Sequence, residues 1–266
     1  MPSPNVDLVF VIDTSASMAP CFDQVRTHLH AVVSPMQGHV NRVSFALVAA
    51  SASTNGSGVL YHVQSLAESS AGVDLGMDLV GLLYGTGRHD GRGHGPQSAA
   101  SAREQLFTTD ADRLIRRLGM LEPAGDEDML LALDIALDLP FGPLETTKRV
   151  VALFSDEPFE SGVAGDGSNR LLPELIDKIQ ARRIHLFLAV PEGPAAHQLA
   201  SVDRAEVEFL GDEQNGLADV DFTRLFAQMG RSISSASLQE TAEPAYRRAL
   251  YEQDKWVPSQ GVMSGR

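Results

Sequence analysis

The chain has 266 residues but only one cysteine, Cys21, and one tryptophan, Trp256. A lone cysteine excludes an internal disulfide framework, so a hydrophobic core must hold the fold, and it suits a reducing compartment. Basic residues are scarce too: 21 Lys and Arg face 35 Asp and Glu, for a formal charge of −14. Nucleic acid and anionic membranes both require phosphate charge to be neutralised by Lys and Arg, so neither is expected as a partner. No apolar run approaches the roughly 18 residues of a membrane span, and Met1-Pro2-Ser3-Pro4-Asn5 has no basic leader character. The expectation is a cytoplasmic protein. Phosphate-binding glycine motifs of the Walker A or Gly-x-Gly-x-x-Gly type are absent, and Ser155 lacks a Gly-x-Ser-x-Gly elbow.

What is present reads as a folded α/β domain, with 43% apolar and 21% charged residues in ordinary soluble proportion. Val6 to Ile12 is a near-continuous apolar run ending in Asp13, the pattern of a strand buried on both faces of a parallel sheet. Pro20 opens a helical segment to about Met36, with Phe22, Val25, Leu29 and Val32 at helical spacing and Gly38 placed to end it. Val43 to Ala50 reads as a second strand, and Val59 to Val63 as a third that extends it across the turn at 53–58. A helix over Val73 to Leu83 precedes a glycine-rich loop at 85–95. Arg103 to Thr108 reads as a short strand and Asp110 to Leu121 as an amphipathic helix. Further helices are expected after Asp126 up to Pro140, and over 171–181, 194–202 and 222–234. Strands are expected over 150–154, 184–190 and 207–210.

This alternation predicts a three-layer α/β/α sandwich around a mostly parallel, doubly wound sheet. The domain is placed at 1–238, with an insertion at 52–102 and a C-terminal extension at 239–266 that holds Tyr246, Tyr251 and Trp256.

The chemistry concentrates in three loops. Asp13, Ser15 and Ser17 alternate after the first strand, so a bent loop turns one carboxylate and two hydroxyls toward a common point. Oxygen-only ligands suit magnesium, with manganese or calcium as alternatives. The same residues are also helix-cap types. Asp156 ends a second buried strand as Asp13 ends the first, and in open parallel sheets ligands bind at carboxyl strand ends where connections diverge. Asp126, at a helix start, reads either as a third oxygen ligand or as an N-cap.

Val9-Phe-Val-Ile-Asp13-Thr-Ser15-Ala-Ser17-Met18 resembles the first strand and metal-ion-dependent adhesion loop of von Willebrand factor A domains. Ala124-Gly125-Asp126-Glu127-Asp128 with Leu130 to Leu133 resembles that family's second metal loop. Val150 to Pro158 resembles its third, so the likeness spans about 6 to 238. The resemblance implies a sheet with one antiparallel edge strand, wrapped by helices. It also implies a metal held by Ser15 and Ser17, with Asp13, Asp126 and Asp156 binding directly or through water. A sixth position stays open for a carboxylate from a protein partner, which makes the metal a recognition element without turnover.

One position departs from the commonest family pattern: Asp126 stands where threonine is usual, as in a largely bacterial intracellular subset. Three aspartates around a +2 cation leave the site near −1, and Glu127, Asp128, Glu157 and Glu160 add to the negative potential. A neutral or mixed-charge partner surface is therefore expected in preference to an acidic one. For such relatives the resemblance implies a MoxR-type AAA+ ATPase, or another stress- or conflict-system component, as partner.

Other readings are weaker. Asp13 ends its strand as the nucleophile of haloacid dehalogenase-like phosphatases does, which keeps magnesium-dependent phosphoryl transfer as an alternative, but Ser15 stands where those enzymes carry a second aspartate. His89, Asp90 and His94 are of metal-ligand type in a loop whose spacing fixes no geometry. Cys21 near a helix start reads as a structural thiol.

Overall fold

The computed structural model describes residues 3–36, 39–50, 62–64, 103–104, 106–121, 128–160, 171–210 and 220–239. Six strands form one sheet: β1 (Asn5–Asp13), β2 (Arg42–Ala50), β3 (His62–Gln64), β4 (Thr147–Phe154), β5 (Ile184–Pro191) and β6 (Ala205–Leu210). Their order is β3-β2-β1-β4-β5-β6. Five strands run parallel, and β3 pairs antiparallel with β2 at one edge. Among the described residues six α-helices pack around the sheet: α1 (Ala19–Val33), α2 (Ala111–Leu118), α3 (Met129–Leu137), α4 (Leu172–Ala181), α5 (Pro194–Ala200) and α6 (Phe222–Gln239). This is the doubly wound α/β/α arrangement, antiparallel edge included, that the sequence predicts.

Strand alternation divides the interior into two cores, because successive side chains leave a strand on opposite faces. Val9 and Val11 of β1 face α3, α4 and α5 with Val48, Leu153 and Leu188. Leu8, Phe10 and Ile12 face α1, α2 and α6 with Leu47 and Phe154. In this second core the rings of Phe10, Phe154, Phe222 and Phe226 form one cluster, with Phe154 and Phe226 edge-to-face at 5.7 Å. Both faces of β1 are thus fully covered, which is why its sequence reads as a near-continuous apolar run.

That run has one charged member. Asp7 is fully buried, and its carboxylate accepts two hydrogen bonds from the Arg103 guanidinium, both at 2.6 Å, and one from the Gly142 amide at 2.7 Å. Arg103 also donates to the Pro140 carbonyl.

Two expectations need correction. Arg103 to Thr108 is not a strand: Phe107 N donates to Arg103 O, the spacing of a helical turn, and only Thr108 bridges to β2, opposite Phe45. The reason is burial, since Leu106 and Phe107 both enter the same core, which adjacent strand residues cannot do. The cap of α3 is Asp128, whose carboxylate accepts from Leu131 N at 3.0 Å; Asp126 lies outside the described residues. So do the helix expected at 73–83, the 85–95 loop with His89, Asp90 and His94, and the 239–266 extension beyond Gln239.

Among the described residues no helix is long and apolar enough to cross a membrane.

Candidate metal centre

In the order β3-β2-β1-β4-β5-β6 the connections diverge on either side of the β1–β4 pair, so the crevice lies above the carboxyl ends of these two strands. β1 and β4 pair in register up to Ile12 opposite Phe154, so Asp13 and the Ser155-Asp156 pair leave the sheet side by side.

Asp13 is fully buried and held at both oxygens. Its Oδ1 accepts from the Ser15 amide at 2.7 Å, and its Oδ2 accepts from the Ser155 hydroxyl at 2.8 Å. Ser155 Oγ in turn accepts from Glu157 N at 3.2 Å, which ties the β4 loop to the β1 loop through one hydroxyl. Burial pushes the Asp13 carboxyl up to about 6, against the lowering influence of the Ser15 and Ser155 hydrogen bonds, and the neighbouring Asp156 charge pushes in the same direction as burial. A buried carboxylate so raised is one that a cation would stabilise.

The loop after Asp13 bends at once. Met18 N donates to Ser15 O in a single 3-10 turn over Ala16–Met18, which folds Ser17 back beside Ser15. Their hydroxyl oxygens lie 2.9 Å apart, Ser15 buried and Ser17 exposed. Thr14, between them and Asp13, points away: its amide and hydroxyl both donate to the carbonyl of Ala50, at 3.0 and 2.7 Å. Alternation along the loop therefore sorts the three side chains, with Ser15 and Ser17 toward the crevice and Thr14 toward β2.

Asp156 completes the described part of the site. Its Oδ1 is buried and has no hydrogen-bond partner. An orphaned carboxylate oxygen is costly unless something absent from the protein satisfies it. Two hydroxyls, a raised carboxylate and an orphaned carboxylate oxygen form an all-oxygen donor set, which fits a hard divalent cation. The structure thus brings together Asp13, Ser15, Ser17 and Asp156, and Asp126 lies outside the described residues. Among the described residues no cluster of three or more His, Cys, Asp or Glu forms, so the hydroxyls are an essential part of the set. Sequence reasoning misses Ser155 and Thr14; the signal for Ser155 is its place between a buried strand end and a candidate ligand.

No family model and no curated protein matches the chain. Among solved structures the chain is similar to a von Willebrand factor type A protein from Catenulispora acidiphila, at 17% identity and a TM-score of 0.49. That match covers 86% of this chain and 43% of the other, so the chain spans less than half the length of that neighbour. It is also similar to the SpRpn10 VWA domain, at 12% identity and a TM-score of 0.47, over 78% of this chain and 88% of the other.

Proposed function

We propose that this chain is a von Willebrand factor A-type binding module in which Ser15, Ser17, Asp13 and Asp156, joined by Asp126, hold a divalent cation, magnesium foremost. The observation that carries this reading is the orphaned Oδ1 of Asp156, whose charge acts on Asp13, on the strand next to the one that ends in the paired Ser15 and Ser17 hydroxyls. The cation supplies a charged point of attachment for a protein ligand, and the residues supply its position. Asp13, locked by Ser15 and Ser155, orients the loop and lends it charge.

Binding is favoured over phosphoryl transfer because Ser15, paired with Ser17, stands where haloacid dehalogenase-like phosphatases carry a second aspartate. A cytoplasmic partner such as a MoxR-type AAA+ ATPase, or another stress- or conflict-system component, is the class that the sequence resemblance favours.

Two measurements test the proposal. Calorimetric titration of the full chain with magnesium and manganese should give saturable binding at one site, and Ser15→Ala/Ser17→Ala should weaken it at least tenfold while leaving the thermal transition of the metal-free protein within a few degrees. Unchanged metal affinity in this variant rejects the site. Affinity capture with the two proteins then identifies partners that depend on the cation, since only those are lost with the serines.

A further inference from the structure

Two loops leave the sheet side by side at its carboxyl end: the one after β4, which carries Asp156, and the one after β5, which opens α5. α5 begins Gly193-Pro194-Ala195 and has no cap of its own, because the N-cap residue Gly193 has no side chain and Pro194 no N–H. The cap comes instead from the β4 loop. Glu160 Oε1 accepts from the Ala195 amide at 2.8 Å, across 35 positions of sequence. Its other oxygen lies where a side chain would begin: a Cβ at Gly193 would stand 2.7 Å from Glu160 Oε2. Gly193 has φ −170°, extended backbone that any residue adopts, so what glycine supplies here is room for the carboxylate.

The 155–160 loop is thus fastened at both ends. Ser155 ties it to Asp13 at 2.8 Å and Glu160 ties it to α5, and between them Phe159 is buried in the same core as Ala195 and Ala196. Asp156, with its unpartnered Oδ1, lies inside this closed span. One fastening reaches the loop of β1 and the other the loop of β5, the two strands that flank β4.

We propose that Glu160 is a positioning residue for the candidate metal centre, its hydrogen bond to α5 holding the Asp156 loop in place. This rests on the metal-binding reading above, in which Glu160 itself touches no metal. Groups that orient ligands from outside the coordination shell commonly set metal affinity. Two competing accounts are that Phe159 burial alone fixes the loop while Glu160 only stabilises α5, and that Glu160 acts only through its charge.

The test begins on the full chain in chelator. Amide hydrogen exchange over 155–160 should quicken in Glu160→Ala and return to the wild-type rate in Glu160→Gln, whose side-chain carbonyl still accepts from the Ala195 amide. Unchanged exchange in Glu160→Ala overturns the proposal. Calorimetric titration with magnesium follows at an ionic strength of about 0.1 M, where remote charges are screened. Glu160→Ala should bind magnesium about tenfold more weakly, and Glu160→Gln should restore binding to within about threefold of wild type. Equal weakening in both variants means that charge alone acts and overturns the proposal. A lower Tm in Glu160→Ala with unchanged magnesium affinity assigns Glu160 to α5 alone and overturns it too. Gly193→Ala keeps the charge and displaces the carboxylate, so it should reproduce the loss by itself and add nothing to Glu160→Ala. No loss, or a further loss in the double variant, overturns the proposal. If Glu160→Ala does not fold, Gly193→Ala against Glu160→Gln decides by the same criteria. If the wild type binds no magnesium, the metal-binding reading and the positioning role fall together; if it binds and Glu160→Ala binds equally well, only the positioning role falls.

Discussion

Asp13 shows how a single side chain couples the candidate metal loop to pH. Its folded carboxyl titrates near 6 against an ordinary value of 3.8, so between those values the folded protein keeps a proton that the unfolded chain has released. Stability from this group therefore falls as pH rises from about 4 to 6, and the full cost above pH 6 is about 3 kcal/mol. Asp13→Asn removes the titration. The difference in unfolding free energy between variant and wild type, both metal-free, should widen by roughly that amount between pH 4 and 7, and a constant difference would refute it. On the proposed metal binding, magnesium would oppose the same cost, so its stabilisation of the wild type should be large at pH 7.5 and shrink below pH 6 as protons compete for the carboxylate. Asp7 gives a second prediction at this scale. Asp7→Asn leaves the Arg103 guanidinium without its charge partner at the other end of β1, and urea unfolding should show a loss of about 3 kcal/mol.

At the scale of elements, α6 meets α1 closely at Gly230, where an added Cβ would overlap the Val32 carbonyl and crowd Pro35. Backbone cannot give way as a flexible side chain would, so Gly230→Ala should destabilise by about 3 kcal/mol, readable as a lower urea midpoint at unchanged slope. The elements themselves were largely legible, because hydrophobic period and strand length both report burial. Asp13 and Asp156 could be placed on neighbouring strand ends for the same reason: each closes an apolar run. What the sequence hid depends on direction and on distance along the chain. Nothing in the order Asp13-Thr14-Ser15 says that Thr14 turns to β2 while its neighbours turn to the crevice. Ser155 reads as a strand terminus until β4 is laid beside β1. The Asp7–Arg103 pair spans 96 positions, and the helical turn that carries Arg103 imitates a strand because it buries two consecutive apolar residues.

At the scale of the whole molecule, the described strand ends differ in their charged residues. The carboxyl ends of the strands carry Asp13, Asp156, Glu157 and Glu160, and the amino ends of β4 to β6 carry Lys148, Arg149, Arg183 and Arg204. A partner that reaches the proposed cation would therefore approach through negative potential, which slows and weakens acidic ligands. An acidic peptide titrated with and without magnesium should show little metal-dependent binding at low salt, and rising ionic strength should help it. Tight metal-dependent binding of such a peptide would contradict the proposed preference for neutral or mixed-charge partners.

The two hydrogen bonds from Thr14 occupy both lone pairs of the Ala50 carbonyl, the last of β2. The β1 loop is thereby anchored to the final position of its neighbour strand. Replacing Thr14 by valine would take away the hydroxyl half of that anchor and leave the amide half, loosening the hinge from which both serines hang.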